Sequence, residues 1–544
     1  MIVGNIKKIN LGTSRFKKII DSGALYVDKT RMIENFLESP SDVLLIARHR
    51  RLGKSLNMDM LRCFLTDAED NRRLFKGLYI ENSHVWDKAC SAPVFYFNFK
   101  ELQPDSYNVQ VLKQVDEHIW NITDPCNLNG YLKHQYEQII RSQSRATDSI
   151  KFLMEIVYKL TGKNSYLLID EYDNLLMSNY NSDRYAEIRK FETDLLSAAL
   201  KDNPYLEKAL LTGVMRISHE SMLSGLNNIV TYDVFSDNTF TDDYGLTENE
   251  VAELSELTHF NISESRNWYN GIRVGGKAIY NIYSMMSFIS RGEYGCYWGK
   301  SGTMDMIRDL LNNDRMETLS KLLNGENVSV SIDDRISLHH FSAQTGEQSF
   351  YSFLVQAGYL ALVDVYKCTD TTAIVAIPNT ELMVVWKNFI LKTLDVNTPK
   401  IRTLFDNVND HNVFARDIEY FMHDRLSYHD LAVFKGEEAE NIHERLYHVF
   451  MLGILSAYDD VRYRYPSSNR ESGDGRYDIL VERPEANYIF EFKATADDSK
   501  LEQKAEEALA QAQIMRYGED ISDNKRLVKV GIAFNRKKCK VKAG

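Results

Sequence analysis

Hydrophobic residues in the first 230 positions occur in short continuous runs, separated by longer stretches with helical spacing. Four of these runs are predicted strands: VLLIA at 43–47, VFYFNF at 94–99, YLLI at 166–169 and ALL at 209–211. Near-continuous hydrophobicity is typical of parallel strands that helices bury on both faces. The alternation therefore predicts an α/β domain with a sheet over residues 1–230.

The pattern changes after this domain. Residues 231–300 are mostly helical in pattern, which predicts a helical lid. Over residues 340–400 the order is helix, β-hairpin, helix, which is that of a winged-helix module, although many unrelated α+β segments share it. We assign residues 301–400 to a winged-helix-like α+β module, with a plain packing module as the alternative.

A second α/β pattern fills residues 401–544. YDILVE at 477–482 and YIFEFKA at 488–494 form a predicted hairpin, because two strand-like runs flank a short polar turn. A helix rich in Glu, Ala and Gln is predicted from Lys500 to about Tyr517, and LVKVGIAF at 527–534 is the last predicted strand.

Composition and charge limit the class of protein. The chain is 44% hydrophobic and 26% charged, which is typical of soluble domains with several cores and excludes a disordered chain. The formal charge is −12, from 65 basic and 77 acidic residues, so nucleic acid could be held only by a local basic patch. The six cysteines are scattered, and no apolar run approaches the length of a membrane span. We expect a cytoplasmic protein without membrane contact.

A candidate phosphate-binding loop follows the first predicted strand. RHRRLGKS spans residues 48–55 and precedes a predicted helix, which is the setting of a P-loop, or Walker A motif. Backbone N–H groups around Gly53 and the helix N-terminus would hold phosphate oxygens. Lys54 would reach the β- and γ-phosphates of ATP, and the Ser55 hydroxyl would bind Mg²⁺. The first glycine of the GxxxxGK[ST] pattern is replaced by Arg48, so the match is incomplete.

Polar residues at the ends of two later strands complete this candidate site. Asp170 could hold Mg²⁺ in the manner of a Walker B acid, and Glu171 could polarise an attacking water. Thr212 could sense the γ-phosphate. Arg216 could neutralise transition-state charge in cis or in trans, or simply pair with a surface acid. Two adjacent acids on their own would usually be solvated carboxylates at the edge of a strand. The P-loop motif and the acidic motif occur here in the expected order, and together they favour nucleotide binding.

Six motifs occur in order along the first 300 residues: YVDKT (26–30), RHRRLGKS, LLIDEYD, LTGVMRIS, GLNNI and WYNG. Together they resemble the AAA-ATPase-like family found widely in bacteria. In that family the P-loop commonly reads RPRRFGKS, so the missing first glycine is a family trait, and His49 and Leu52 depart from the pattern at positions that do not bind ligand. The resemblance implies an ATP-binding core of the additional-strand P-loop type, with Arg48, Arg50 and Arg51 among the nucleotide-binding residues.

A second cluster of charged residues is predicted on the C-terminal hairpin. Side chains two positions apart on a strand share a face, so Glu491 and Lys493 point together while Phe490 and Phe492 face the core. The hairpin brings Asp478 from the preceding strand into the same cluster. Two carboxylates can bind a divalent metal, and the lysine can position a water and stabilise charge on phosphorus. Metal-dependent phosphodiester cleavage is thus indicated, although an isolated ExK tripeptide would usually be a surface salt bridge.

This set resembles the PD-(D/E)XK nuclease superfamily, in the branch commonly fused to the ATPase above. Its pattern of a Glu-bearing helix, GxGRxD, ExK and AxxQ-to-Tyr covers roughly residues 401–540 and maps onto Glu444 (with His448 one turn later), Gly473, Gly475, Arg476, Asp478, Glu491, Lys493, Gln511 and Tyr517. The resemblance implies a restriction-endonuclease-like α/β fold with metal at Glu444, Asp478 and Glu491. Superfamily members can keep this fold while losing the reaction.

Two functional hypotheses follow. The leading one is a protein that binds and hydrolyses ATP and holds Mg²⁺ at both sites. Its nuclease domain would cut nucleic acid, DNA in preference to RNA, under the control of ATP. The other is a nucleotide-switched module that binds nucleic acid or a partner through an inactive nuclease fold. Residues 525–544 carry eight Lys or Arg and no acid, and this basic end could contact phosphates or be a solvated terminus. P-loop ATPases often work as rings, so a homo-oligomer is compatible with the sequence.

Overall fold

The structure is a computed structural model of the chain. It describes residues 1–141, 145–216, 228–235, 239–298, 303–323, 325–333, 346–367, 371–393, 410–425, 447, 451, 467–468, 471–472, 475–482, 486–514, 525–535 and 538–544. The backbone divides into two compact units, of which the first comprises Met1–Trp298 with Ser329–Glu381 and the second Gly299–Val328 with Leu382–Gly544. The finer division into four parts stays a prediction.

Strands are numbered here in chain order. Those of the first unit are β1 (Ile2–Val3), β2 (Tyr26–Val27), β3 (Val43–Ala47), β4 (Val94–Asn98), β5 (Ser165–Asp170), β6 (Leu206–Gly213), β7 (Ile229–Tyr232), β8 (Ile272–Val274), β9 (Lys277–Ile279), β10 (Val328–Ser331), β11 (Ala361–Lys367) and β12 (Thr371–Ala376). Those of the second unit are β13 (Ser467–Ser468), β14 (Glu471–Ser472), β15 (Gly475–Arg476), β16 (Ile479–Glu482), β17 (Ala486–Ala494), β18 (Arg526–Asn535) and β19 (Lys538–Ala543).

The α-helices are numbered in the same way. They are α1 (Phe16–Asp21), α2 (Arg31–Glu38), α3 (Lys54–Leu65), α4 (Tyr107–Ile122), α5 (Gly130–Tyr136), α6 (Ser149–Thr161), α7 (Asn174–Ser178), α8 (Tyr185–Leu200), α9 (Glu248–Thr258), α10 (Ile262–Tyr269), α11 (Ile282–Arg291), α12 (Thr303–Asp309), α13 (Asn313–Leu323), α14 (Glu347–Ala357), α15 (Thr380–Thr393), α16 (His411–Arg425) and α17 (Leu501–Ile514).

A parallel sheet with the strand order β4-β5-β6-β3-β7 forms the centre of the first unit. All residues of β3 and β5 are buried, as their continuous hydrophobicity predicts. Strand β6 lies between β3 and β5, so the additional-strand arrangement is confirmed. Strand β7 was not among the predicted strands, because only its first residue is buried and Val230 is 38% exposed.

The YVDKT motif contacts residues 242–250 of the same unit. The Lys29 ammonium donates to both carboxylate oxygens of Glu250 at 2.7 Å and to the Asp242 carbonyl at 2.7 Å. Glu250 also completes a capping box with Thr247 at the start of α9. Because this ion pair is largely buried, removal of either partner would leave an uncompensated charge. The free energy of unfolding would fall by about 3–5 kcal/mol.

The predicted order of helix, hairpin and helix is present as α14, the antiparallel pair β11–β12, and α15. Strand β10 extends the hairpin to a three-stranded sheet with the order β10-β12-β11. The turn before α15 packs on the WYNG motif: Asn379 donates to the Asn270 carbonyl at 2.7 Å. Gly271 has a φ of 97°, and a Cβ there would lie 2.2 Å from the Pro378 carbonyl oxygen, so this position requires glycine.

The second unit contains a five-stranded sheet with the order β13-β16-β17-β18-β19. Strands β16 and β17 form the predicted antiparallel hairpin, and β17 pairs in parallel with β18, which follows α17. The helix lies directly on β18, because a Cβ at Gly531 would approach the Leu509 backbone nitrogen to 2.2 Å. The basic end also forms a strand, β19, which was expected to be a terminal tail.

Within the described ranges, every helix is too short or too polar to cross a membrane.

Candidate functional site

The loop between β3 and α3 has the backbone of an anion-binding turn. Arg51 and Gly53 both have positive φ, at 64° and 93°. Gly53 is the N-cap of α3, and in the described part of the chain no side chain caps this helix. The N–H groups of its first turn, which includes the half-buried Ser55, are thus oriented as a phosphate requires.

Lys54 lies at the centre of this loop. Its ammonium donates to the backbone carbonyls of Arg48 and His49, both at 2.9 Å. Burial lowers the pKa of Lys54 to about 8, and the nearby carboxylates, Glu171 and Asp170 foremost, partly offset that effect. A buried ammonium of this kind gains most from an added phosphate, because the phosphate charge would compensate for the lost hydration.

Asp170 ends β5 and is fixed by the neighbouring strand. Its Oδ1 accepts from the Thr212 hydroxyl at 2.6 Å and from the Glu171 backbone N–H at 3.1 Å. The Tyr96 hydroxyl lies 3.4 Å from Oδ2. The structure therefore brings the predicted Walker B acid and Thr212 into direct contact, with both side chains buried.

Glu171 has a φ of 53°, in the left-handed region. A residue with a side chain adopts this conformation at a cost of about 1–3 kcal/mol, and such residues cluster at functional sites. The bend turns the chain away from β5 immediately after Asp170. It is supported by a hydrogen bond of 3.0 Å from the Tyr172 N–H to the Thr212 carbonyl.

Two further residues of the LLIDEYD motif position the site, although sequence reasoning assigned no role to them. Asp173 accepts from the backbone N–H groups of Val214 at 2.9 Å and Met215 at 2.8 Å. The Tyr172 hydroxyl donates to the Met215 carbonyl at 2.8 Å. Burial raises the pKa of Asp173, and the two backbone donors oppose this rise. The last acid of the DEYD sequence, Asp173, was the signal that could have revealed this link.

Arg48 has contacts with the protein backbone. Its guanidinium donates to the carbonyls of Ala47 and Tyr232, both at 2.9 Å, and lies 5.6 Å from the centre of the Tyr244 ring. The side chain is fully buried. These contacts tie the end of β3 to the end of β7, so this geometry favours a structural role over the predicted contact with nucleotide.

Arg50 and Arg51 connect the loop to residues 283–298. The Arg50 carbonyl accepts from the Trp298 indole at 3.4 Å. The Arg51 guanidinium donates to the Tyr297 carbonyl and lies 4.3 Å from the centre of the Tyr283 ring. Their predicted role in nucleotide binding stays a prediction.

Arg216 follows β6 and is held at two points. Its guanidinium lies 3.2 Å from a carboxylate oxygen of the buried Asp233. Its backbone N–H donates to the Gln356 side-chain oxygen at 2.9 Å. Arg216 is thus paired with an acid, as the alternative interpretation of the sequence predicted. That acid, Asp233, is buried and not on the surface.

The C-terminal hairpin brings the predicted acids together. The register pairs Ile479 with Phe490, which places Asp478 beside Glu491. Asp478 accepts from the Phe492 N–H at 2.7 Å, and Gln511 of α17 donates to Glu491. Glu491 is 3% exposed. Two oriented carboxylates on adjacent strands are the donor set that a hard divalent cation prefers, so these residues fit Mg²⁺.

Lys493 lies two residues after Glu491 on β17 and is half-buried. It is near Glu507 of α17: the pKa of Glu507 is lowered mainly by a hydrogen bond from Lys504, with a smaller effect from Lys493. The remaining predicted positions Glu444, His448, Gly473 and Tyr517 lie outside the described residues, whereas Gly475 and Arg476 form β15.

The three lysines of β19, in the basic end, are paired with acids. Alternate residues of β19 point inward, with Cys539 and Val541 buried. The lysines between them form ion pairs: Lys538 with Asp498, Lys540 with Glu419, and Lys542 with Glu502 and Glu506. Part of the expected basic tail is therefore an edge strand, β19, whose three lysines are paired with acids.

Two separate segments of the chain match different protein families. Residues 10–223 match the family described as predicted AAA-ATPase, and residues 442–544 match the PD-(D/E)XK nuclease superfamily. An uncharacterized protein in the vnfD 5' region of Azotobacter chroococcum mcd 1 is 28% identical over 370 residues, which cover 66% of this chain. The match spans 65% of that relative's length.

A solved structure of the Aeropyrum pernix ORC2 protein, in ADPNP–ADP complexes, matches 71% of this chain and 95% of its own at 10% identity. The TM-score of 0.23 is too low to support an argument. The family matches and the observed sheets agree with each other. This chain therefore carries a predicted AAA-ATPase domain at residues 10–223 and a PD-(D/E)XK nuclease superfamily domain at residues 442–544.

Proposed function

We propose that the protein binds and hydrolyses ATP in its first unit, and that ATP controls a metal-dependent site in its second unit that hydrolyses phosphodiester bonds of nucleic acid. The proposal rests on one observation: in each domain, the predicted polar and charged site residues cluster at one place on the sheet. Lys54, Asp170 and Thr212 are buried together in the first, and Asp478 and Glu491 are adjacent in the second.

In the ATP site, the first turn of α3 and the Lys54 ammonium would bind phosphate oxygens. Ser55 and Asp170 would hold Mg²⁺, which neutralises phosphate charge when bound. Thr212 keeps the Asp170 carboxylate oriented through its 2.6 Å hydrogen bond. Glu171, turned away from the strand by its positive φ, would polarise the attacking water.

In the C-terminal site, Asp478 and Glu491 would hold Mg²⁺, which supplies Lewis-acid stabilisation when bound. The Phe492 N–H and the Gln511 amide orient these carboxylates. Lys493 would hold the attacking water and neutralise charge that develops on the phosphate oxygens. DNA is the favoured substrate over RNA.

A second candidate function is a nucleotide-switched module that binds nucleic acid or a partner without cutting. The compensated lysines of β19 favour it, because these side chains offer little net positive charge to a phosphate backbone. It predicts binding that responds to ATP, and no metal-dependent cleavage.

The proposal is tested by incubating the full chain with labelled single- and double-stranded DNA and RNA, Mg²⁺ or Mn²⁺, with and without ATP. Wild type should cut, Lys493→Ala should lose cutting by about 100-fold or more while it still binds ATP, and the matched Lys538→Ala should cut normally. Equal cutting by Lys493→Ala would refute the assigned site. Intact ATP binding without any cutting would favour the second candidate.

A further inference from the structure

The last turn of α14 lies against two parts of the ATP site. Val355 and Gln356 are in this turn, and both are buried. Gly358 follows the helix with a φ of 88°. One contact from this turn reaches the P-loop, and another reaches the chain that follows β6.

The P-loop contact is made by His49. Its Nε2 lies 2.8 Å from the Val355 carbonyl, and burial lowers the pKa of His49 to about 3. The ring is therefore neutral, with a proton on Nε2 that it donates to this carbonyl. A Cβ at Gly358 would lie 2.9 Å from the ring, so the helix end is in close contact with the loop.

The second contact fixes the backbone around Arg216. Gln356 accepts from the Arg216 N–H at 2.9 Å, while Asp173 accepts from the preceding Met215 N–H at 2.8 Å. The backbone N–H groups of two consecutive residues are thus held by a buried acid and a buried amide. With the backbone fixed, the position of the guanidinium depends only on the side-chain torsions of Arg216.

We propose that Gln356 is a positioning residue for ATP hydrolysis that acts through Arg216. The inference rests on the proposed ATPase function and deepens it. According to this inference, α14 directly affects ATP turnover, although in sequence this helix belongs to the predicted middle module. A displaced Arg216 backbone would misplace the guanidinium in the transition state, whereas nucleotide binding through Lys54 and the α3 N-terminus would be retained.

The test is steady-state ATP hydrolysis by the full chain. Gln356→Met keeps the side-chain volume and removes the acceptor, and it should lower kcat by about 10- to 100-fold with the KM for ATP changed less than about twofold. Gln348→Met, at an exposed position of the same helix, is the matched control and should behave as wild type. Gln356→Glu keeps an acceptor oxygen and should recover most of kcat.

A double-mutant cycle separates positioning from a general structural effect. In an Arg216→Ala background, Gln356→Met should cause no further loss of kcat, because its target side chain is already absent. If Gln356→Met does not fold, Gln356→Asn can replace it. Its side chain keeps an amide but is one methylene shorter, so the acceptor oxygen no longer reaches the Arg216 N–H, and the same results are expected. The inference would be overturned by a wild-type kcat in Gln356→Met and Gln356→Asn. It would also be overturned if Gln356→Met lowered kcat in the Arg216→Ala background as much as it does alone. Absence of ATP turnover in wild type would instead refute the proposed function itself.

Discussion

The two candidate sites are built in different ways. The ATP site collects residues from the ends of β3, β5 and β6, which are far apart in sequence. In the C-terminal site, Asp478 and Glu491 are on one hairpin, and α17 adds a neighbouring amide. The first site therefore depends on long-range packing, whereas a local hairpin register is enough to assemble the two acids of the second.

The two sites also differ in the sign of their buried charge. A buried ammonium, Lys54, is at the centre of the ATP site, and its pKa is lowered by burial. A buried carboxylate, Glu491, is at the centre of the C-terminal site. The first arrangement suits an anionic phosphate and the second a divalent cation. Charge-removing variants and pH should consequently affect them differently.

The largest effect is expected from Glu491→Gln, which removes the buried charge and keeps the side-chain shape. Loss of a metal-binding carboxylate should lower cleavage by about 100- to 1000-fold and abolish Mn²⁺ binding measured by calorimetry. ATP turnover without nucleic acid should be unchanged. Glu482→Gln, on the adjacent strand, is the matched control, and similar losses in both variants would contradict the assignment.

The pH dependence of ATP binding should come from Lys54. With a pKa of about 8 before nucleotide binds, the side chain is charged below pH 8 and increasingly neutral above it. Phosphate binding needs the charged form, so ATP affinity should fall by up to about tenfold per pH unit above 8. Calorimetry between pH 7.5 and about 9.5 measures this fall. Lys54→Arg stays charged and should remove the pH dependence; the same slope in this variant would exclude Lys54 as its source.

A smaller effect is expected from Gln511→Ala. The amide of Gln511 donates to Glu491, so its removal should loosen the carboxylate and weaken Mn²⁺ affinity by about tenfold or more. Gln513→Ala, at an exposed position of the same helix, should leave the affinity unchanged. Equal affinities in wild type and Gln511→Ala would show that this hydrogen bond does not orient the site.

The smallest effect is expected from the basic end. Because Lys538 and Lys540 are paired with acids, the double variant Lys538→Ala/Lys540→Ala should barely change DNA affinity or its dependence on salt concentration. Titration of labelled DNA at several salt concentrations measures both. A salt slope reduced by about two, one for each lysine, would show that these side chains contact phosphates.

Much of the fold could be predicted from sequence. Strands β3 and β5 were identifiable because all of their residues are buried and each contains a continuous hydrophobic run. The hairpin of β16 and β17 was identifiable because two strand-like runs flank a short turn. Strand β7 is only partly buried after its first residue, and the lysines of β19 concealed its alternating burial, so neither had a strong hydrophobic pattern.

The parts of the site that sequence did not reveal depend on distant partners. Arg48 donates to a carbonyl 184 positions away, and His49 to one 306 positions away. Neither residue type specifies such a backbone acceptor, so the motif alone could not separate a structural arginine from a nucleotide-binding one. The acids of the C-terminal site were predictable because the alternation of one strand and a single turn determines their positions.

The most direct test of ATP control is the initial rate of DNA cleavage, with and without ATP, in wild type and Lys54→Ala. We expect ATP to change the wild-type rate by about tenfold or more, and to have no effect in Lys54→Ala, because that variant lacks the buried ammonium that holds the phosphates. Cleavage at the same rate with and without ATP in wild type would contradict control of the C-terminal site by nucleotide.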